Sequence, residues 1–129
     1  MKPMTIEWVE KAEGDFAILL RESRARKNPS HDGACFHAQQ CAEKYLKARL
    51  CESGIEFTKI HDLVALLIQA LAVEPAWERF REDLAYLSDF AVTFRYPGES
   101  ADKATAVDAR QRCRKFRKAA REALGLAQK

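Results

Sequence analysis

The sequence predicts an all-α fold, a compact bundle of four long helices and one short helix. It forms a single domain over residues 1–129, with an ordered core of about 5–124. Three observations predict it. Apolar residues recur every three or four positions through five separate stretches, and no stretch alternates as a strand does. The breaks between stretches carry Asn-Pro, Gly or Pro, residues that stop helices. The chain has 129 residues, 47% hydrophobic and 32% charged, enough for one buried core in a globular protein.

The first helix is expected from about Ile6 to Arg26, with Thr5 as its N-cap. Its apolar set is Ile6, Val9, Phe16, Leu19 and Leu20, and Asn28 and Pro29 stop it. The second begins near Ser30 or Asp32 and runs to Ser53, ended by Gly54 at the position after the cap. The third, about His61 to Leu71, is short and leucine-rich. The fourth opens at Pro75, a favourable first-turn residue, and continues to about Phe94. Its stripe is Trp77, Phe80, Leu84, Leu87, Ala91 and Phe94, spaced 3, 4, 3, 4, 3 as in nearly antiparallel packed helices. Pro97 disfavours the α conformation at Tyr96, so this helix must end there, and Gly98 follows. The fifth runs from about Asp102 to Leu124, with Ala109, Cys113, Phe116, Ala120 and Ala123 inward. The last residues, "GLAQK", are expected to fray.

Composition narrows the function classes. No apolar run approaches the roughly 18 residues of a membrane span. The opening "MKPMTIEWVEKAEGDF" is charged throughout, unlike a signal peptide. The cysteines, at 35, 41, 51 and 113, lack CxxC spacing and mostly fall inside apolar helical patterns. They read as small core residues of a reducing compartment, not as zinc ligands or a disulfide framework. The expected location is the cytoplasm, without metal or cofactor. There is no P-loop, GxGxxG, HExxH or nucleophile elbow, and His31, His37 and His61 are not spaced as a metal trio. From Lys103 to Lys129 nine Lys/Arg face two Asp/Glu, a local +7. The rest of the chain, with the total at +3, therefore carries −4. A basic end on an acidic body suits an anionic partner or a protein contact.

The second helix holds the most chemistry, in "CFHAQQCAEKYLKARL" from Cys35 to Leu50. At 100° per residue, His37, Gln40, Lys44 and Lys47 form a polar stripe beside the apolar face. Gln39 and Glu43 fall at the edge of that apolar face, where a carboxylate needs a partner. Two readings stand: a solvated stripe with two satisfied polar groups, or a polar cleft lined by Glu43, Lys44 and Lys47. "IHDL" places His61 and Asp62 at the start of the short helix, where backbone N–H groups are free. Asp62 there suits the helix dipole, and His61 is either half-buried or a donor to phosphate or base. Arg95 in "TFRYPG" is both a dipole partner for the helix end and a binding candidate, with Tyr96 beside it. On the fifth helix Arg110, Arg114, Arg117 and Arg121 form a stripe spaced 4, 3, 4. Such a stripe is a solvated face, or a face for nucleic acid or a partner protein.

"CFHAQQCAEKYLKARL", then "HDL", then "RYPG", in this order and in a chain of this length, resemble a HEPN-domain protein (higher eukaryotes and prokaryotes nucleotide-binding). The resemblance extends from about Trp8 to about Leu124. It implies an all-α up-and-down bundle, commonly a homodimer, often paired with a minimal nucleotidyltransferase in a toxin–antitoxin-like system. Carried over by position, it marks Gln39, Gln40, Glu43, Lys44 and Lys47, then His61 and Asp62, then Arg95, Tyr96 and Pro97. Some members are metal-independent ribonucleases whose signature is an arginine followed a few residues later by a histidine. No histidine follows Arg95 in this chain, so that signature is incomplete there. Arg26 and His31 flank four residues, but Asn28 and Pro29 break the helix between them, and the match reads as chance. The expectation is therefore a non-catalytic module that binds nucleotide or RNA. The alternatives are a ribonuclease toxin and a structural dimer or adaptor.

Overall fold

The computed structural model describes residues 1–57 and 59–128. Among them five α-helices occur: α1 Pro3–Arg24, α2 His31–Glu52, α3 Leu63–Ala70, α4 Arg81–Ser88 and α5 Lys103–Ala123. No strand occurs among the described residues, as the helical periodicity predicted. No helix there is long and apolar enough to cross a membrane.

α2 is the central helix. It lies between α1 and α5 and also touches α3 and α4. Twelve of its 22 residues are buried, including Ala34, Cys35, Ala38, Cys41 and Ala42. Small side chains on this face let the neighbouring helices approach closely. Ser30 caps its start by accepting from the Gly33 N–H at 2.9 Å. Its other end closes with bonds from Gly54 N to Cys51 O and from Ile55 N to Leu50 O, with Gly54 at φ +69°. That is a Schellman arrangement, and it needs a left-handed residue at the glycine position. α5 ends in the same way through Gly125 and Leu126.

α1 starts a turn earlier than the sequence suggested. Pro3 occupies its first turn, so Thr5 is a helical residue and not the cap. Thr5 is fully buried and donates to Glu52 Oε1 at 2.9 Å, while Ile6 is exposed. The inward set is therefore Thr5, Val9, Ala12, Phe16 and Leu19. α3 begins two residues later than expected, because Asp62 is its cap.

The fourth segment is not one regular helix. A 3-10 turn, Pro75–Phe80, leads into α4, and a second, Asp89–Ala91, follows it. The buried residues explain the change. Trp77 to Phe80 and Leu87 to Phe90 are steps of three, which a 3-10 geometry keeps on one side. The four-residue step from Phe80 to Leu84 belongs to the α turn. Phe90 thus takes the inward place expected for Ala91, and Trp77 and Phe80 both meet the Phe116 ring edge-on, at 5.0 and 5.4 Å. The segment ends by Val92, ahead of the point that Pro97 dictates, and Phe94 adopts φ +69° while stacking on Phe90.

Two side-chain hydrogen bonds join the residues after Leu124 to α5. Arg121 Nε donates to Ala127 O at 2.7 Å, and Gln128 Nε2 to Lys118 O at 3.0 Å. Lys129, the last residue of "GLAQK", lies outside the described residues.

Candidate nucleotide-binding face

Glu43 is 3% exposed, on the side of α2 that meets the 53–62 connection. A carboxylate there needs donors on both oxygens. Oε1 accepts from Gln39 Nε2 at 3.0 Å and pairs with His61 Nδ1 at 2.9 Å. Oε2 accepts from Lys47 Nζ at 2.9 Å. Burial pushes the Glu43 carboxyl up, but the bonds from Lys47, Gln39 and His61 outweigh it and hold the group below its ordinary value. Gln39 also donates to the His61 carbonyl at 3.2 Å, so the loop is tied to α2 twice. The His61 ring is 66% exposed. With Nδ1 on the buried carboxylate, its Nε2 edge faces solvent.

Three of the expected site residues, Glu43, Lys47 and His61, are thus brought together. Lys47 is no free cation, however. It is 5% exposed, paired with Glu43, and lies over the rings of Trp8 and Phe57 at 5.5 and 5.8 Å. Lys44 turns toward α1, where its Nζ donates to Asp15 Oδ2 at 2.5 Å. His37 Nδ1 meets the other oxygen of Asp15 at 2.7 Å. The polar stripe of α2 is therefore largely a set of counter-ions for buried acids, and Glu43, Lys44 and Lys47 do not line one open cleft. Gln40 donates to Gln39 Oε1 at 2.6 Å. Asp62 is occupied as the α3 cap, accepting from Val64 N and Ala65 N at 3.0 and 3.2 Å.

Arg95 and Tyr96 stand near the other end of this face. The Arg95 guanidinium lies 5.7 Å from the Phe36 ring centroid and donates to Ala91 O at 3.3 Å. It thus satisfies a carbonyl at the end of the fourth segment, as its position suggested. Tyr96 is 72% exposed. Phe36 and Glu43 are seven residues apart and share one side of α2, which separates Arg95 from His61 by about 10 Å along the helix.

The arginine stripe of α5 does not form one exposed face. Arg117 and Arg121 are each 5% exposed. Arg117 grips Glu13 with two bonds, Nε to Oε2 at 2.8 Å and Nη2 to Oε1 at 2.7 Å, and lies over Phe16. Arg121 Nη1 donates to the Tyr45 hydroxyl at 3.0 Å, and that hydroxyl donates to Glu13. Each stripe arginine follows an apolar residue by one position, so its stem borders the core, and the heads of Arg117 and Arg121 reach Glu13 of α1. Burial raises the Glu13 carboxyl, yet Arg117 and Tyr45 bring it below its ordinary value. Arg114 is exposed, and Arg110 faces elsewhere, beside the first turn of α2.

Sequence reasoning missed Asp15, Glu13 and Tyr45. The signal was available for Asp15, which shares the inward side of α1 with Ala12, Phe16 and Leu19. The partners of all three lie on other helices and have no sequence signal.

The HEPN domain family model matches residues 5–124, nearly the whole chain. No curated protein matches the chain. The crystal structure of ST0689, an archaeal HEPN homologue, is similar to this structure with a TM-score of 0.74 and 22% sequence identity, over 95% of this chain and 98% of that one. At that identity the likeness concerns the fold, and it is the family match, with the helix order described above, that identifies the chain as a member of the HEPN-domain family.

Proposed function

We propose that this chain is a non-catalytic HEPN module that binds a nucleotide or a nucleic-acid strand on the α2 face between His61 and Arg95. The observation that carries the reading is the exposed His61 ring held by a buried, ionised Glu43. An imidazole with one nitrogen fixed presents the other in a set direction, which suits a phosphate or a base edge. Arg95 adds a cation with a planar donor fork, and Tyr96 an exposed ring on which a base can stack. The lysines nearby hold the scaffold and do not carry the ligand. The lack of any histidine after Arg95 favours binding over strand cleavage at this face. The resemblance to small HEPN proteins supplies the rest of the proposal: a homodimer acting with a minimal nucleotidyltransferase in a toxin–antitoxin-like pair.

Calorimetric titration with ATP and with a short single-stranded RNA tests it. One of the two should bind, and His61→Ala and Arg95→Ala should each weaken binding about tenfold or more, the loss of one charge-assisted hydrogen bond. Both side chains are exposed, so the variants should keep the parent's circular dichroism. Silence with both ligands, or unchanged binding by both variants, would overturn the reading.

A further inference from the structure

A second site lies on another side of α2. The end of α1, the first turn of α2 and the start of α5 enclose a cavity of about 510 Å³, within the range of small-ligand sites. Arg24, Arg26, His31, Lys103 and Arg110 line it, with Glu22 as the one carboxylate among the lining residues. Glu22 is already engaged, because its Oε1 accepts from the Ser30 N–H at 2.7 Å. Among the described residues none of the five basic side chains makes a hydrogen bond or ion pair. Arg110 Nε is moreover buried without a partner. Buried donors are almost always satisfied, and this one is set in the wall of a basic cavity. Of the acids next to lining residues in sequence, Asp32 accepts from Ala101 N at 2.7 Å, and Asp102 accepts from Thr105 N at 2.8 Å while also feeling the charge of His31.

The geometry points to an oxyanion site here, one that takes a phosphoryl group. Four formal cations, Arg24, Arg26, Lys103 and Arg110, face the single carboxylate Glu22 in the lining, a net +3 that a dianionic or strand phosphate relieves. Arginine forks match phosphate oxygens in paired hydrogen bonds. The α2 N-terminus adds the positive end of a 22-residue helix dipole. Arg26 and His31, whose spacing looked accidental in sequence, therefore share a wall because the chain folds back between α1 and α2. Phe36, which carries Arg95, is two residues beyond Ala34 of this cavity and about 160° away around the helix, so the site is separate from the face proposed above.

The phosphoryl group has two sources, the terminal phosphate of a nucleotide or the backbone of a strand. The full chain is titrated with inorganic phosphate, AMP and a short single-stranded RNA lacking terminal phosphates, and again as a His61→Ala/Arg95→Ala chain that leaves only the cavity. AMP bound with the RNA silent identifies a terminal phosphate, and the reverse identifies a strand phosphate. In either case Arg26→Ala, an exposed substitution, and Arg110→Gln should weaken binding about tenfold or more. Failure of both AMP and RNA to bind the cavity-only chain would overturn the inference, whatever inorganic phosphate does. Binding that Arg26→Ala and Arg110→Gln leave unchanged would do the same.

Discussion

Glu43 and Glu13 set the residue scale of this protein. Each is a carboxylate whose burial is outweighed by hydrogen-bond donors: Lys47 and Gln39 on the same helix together with His61 for Glu43, and Arg117 and Tyr45 from other helices for Glu13. The need for a partner at Glu43 is legible in sequence, since residue 43 falls at the edge of an apolar face. Gln39 and Lys47 are legible as partners, since they stand four residues to either side of it on the helix, but His61, 18 positions away in sequence, is not. Both acids have folded-state values below the ordinary 4.5, so their stabilisation is full above that pH and is lost as pH falls through the lowered values. Glu43→Gln should remove one share of this acid sensitivity and leave that of Glu13. It should also leave the Lys47 ammonium buried without its counter-charge, costing about 3 kcal/mol at neutral pH. Urea unfolding at neutral and at acid pH reads both effects. A variant as stable as the parent at neutral pH, or with undiminished acid sensitivity, would contradict this account.

At the scale of elements, local signals in the sequence worked where caps and apolar periods act alone. Ser30, Asp102 and Gly54 mark ends that the structure keeps, and the stripe from Trp77 to Leu87 is buried as expected. The fourth segment departed because three-residue steps are ambiguous between an α and a 3-10 turn. Packing on Phe116 decided between them. The arginine stripe departed for a related reason. Periodicity groups residues by side, but only tertiary packing says which neighbour covers that side. α3 has eight residues, too few to persist without its cap and its leucine contacts. Asp62→Ala should therefore cost about 1 kcal/mol, whereas Asp62→Asn should retain most of the cap. Equal loss in both variants would mean that the charge of Asp62, and not its capping oxygen, is what matters. Chemical denaturation of the pair distinguishes the two.

For the whole molecule, the uneven charge seen in sequence divides into two uses. Part of the basic C-terminal segment is internal: Arg117 and Arg121 serve Glu13 and Tyr45, and Arg112 joins Asp83 and Asp108 at 3.1 and 3.0 Å. The other part faces outward or into the α1–α2–α5 cavity, where Lys103 and Arg110 join Arg24 and Arg26 from the first helix region. Salt separates these uses, because screening acts strongly on exposed charges and weakly on buried pairs. If single-stranded RNA is the ligand and three or four of its phosphates are neutralised, log affinity should fall against log salt with a slope of about −2 to −3. Over the same interval, roughly 50 to 200 mM, the melting temperature should stay nearly constant, because Arg117 is buried where it grips Glu13 with two hydrogen bonds. Arg26→Ala should then flatten the binding slope by about 0.7, the contribution of one phosphate, while leaving melting unchanged. A slope near zero, or melting that falls in parallel with affinity, would place the unpaired cations in the service of the fold and remove the case for a phosphate ligand.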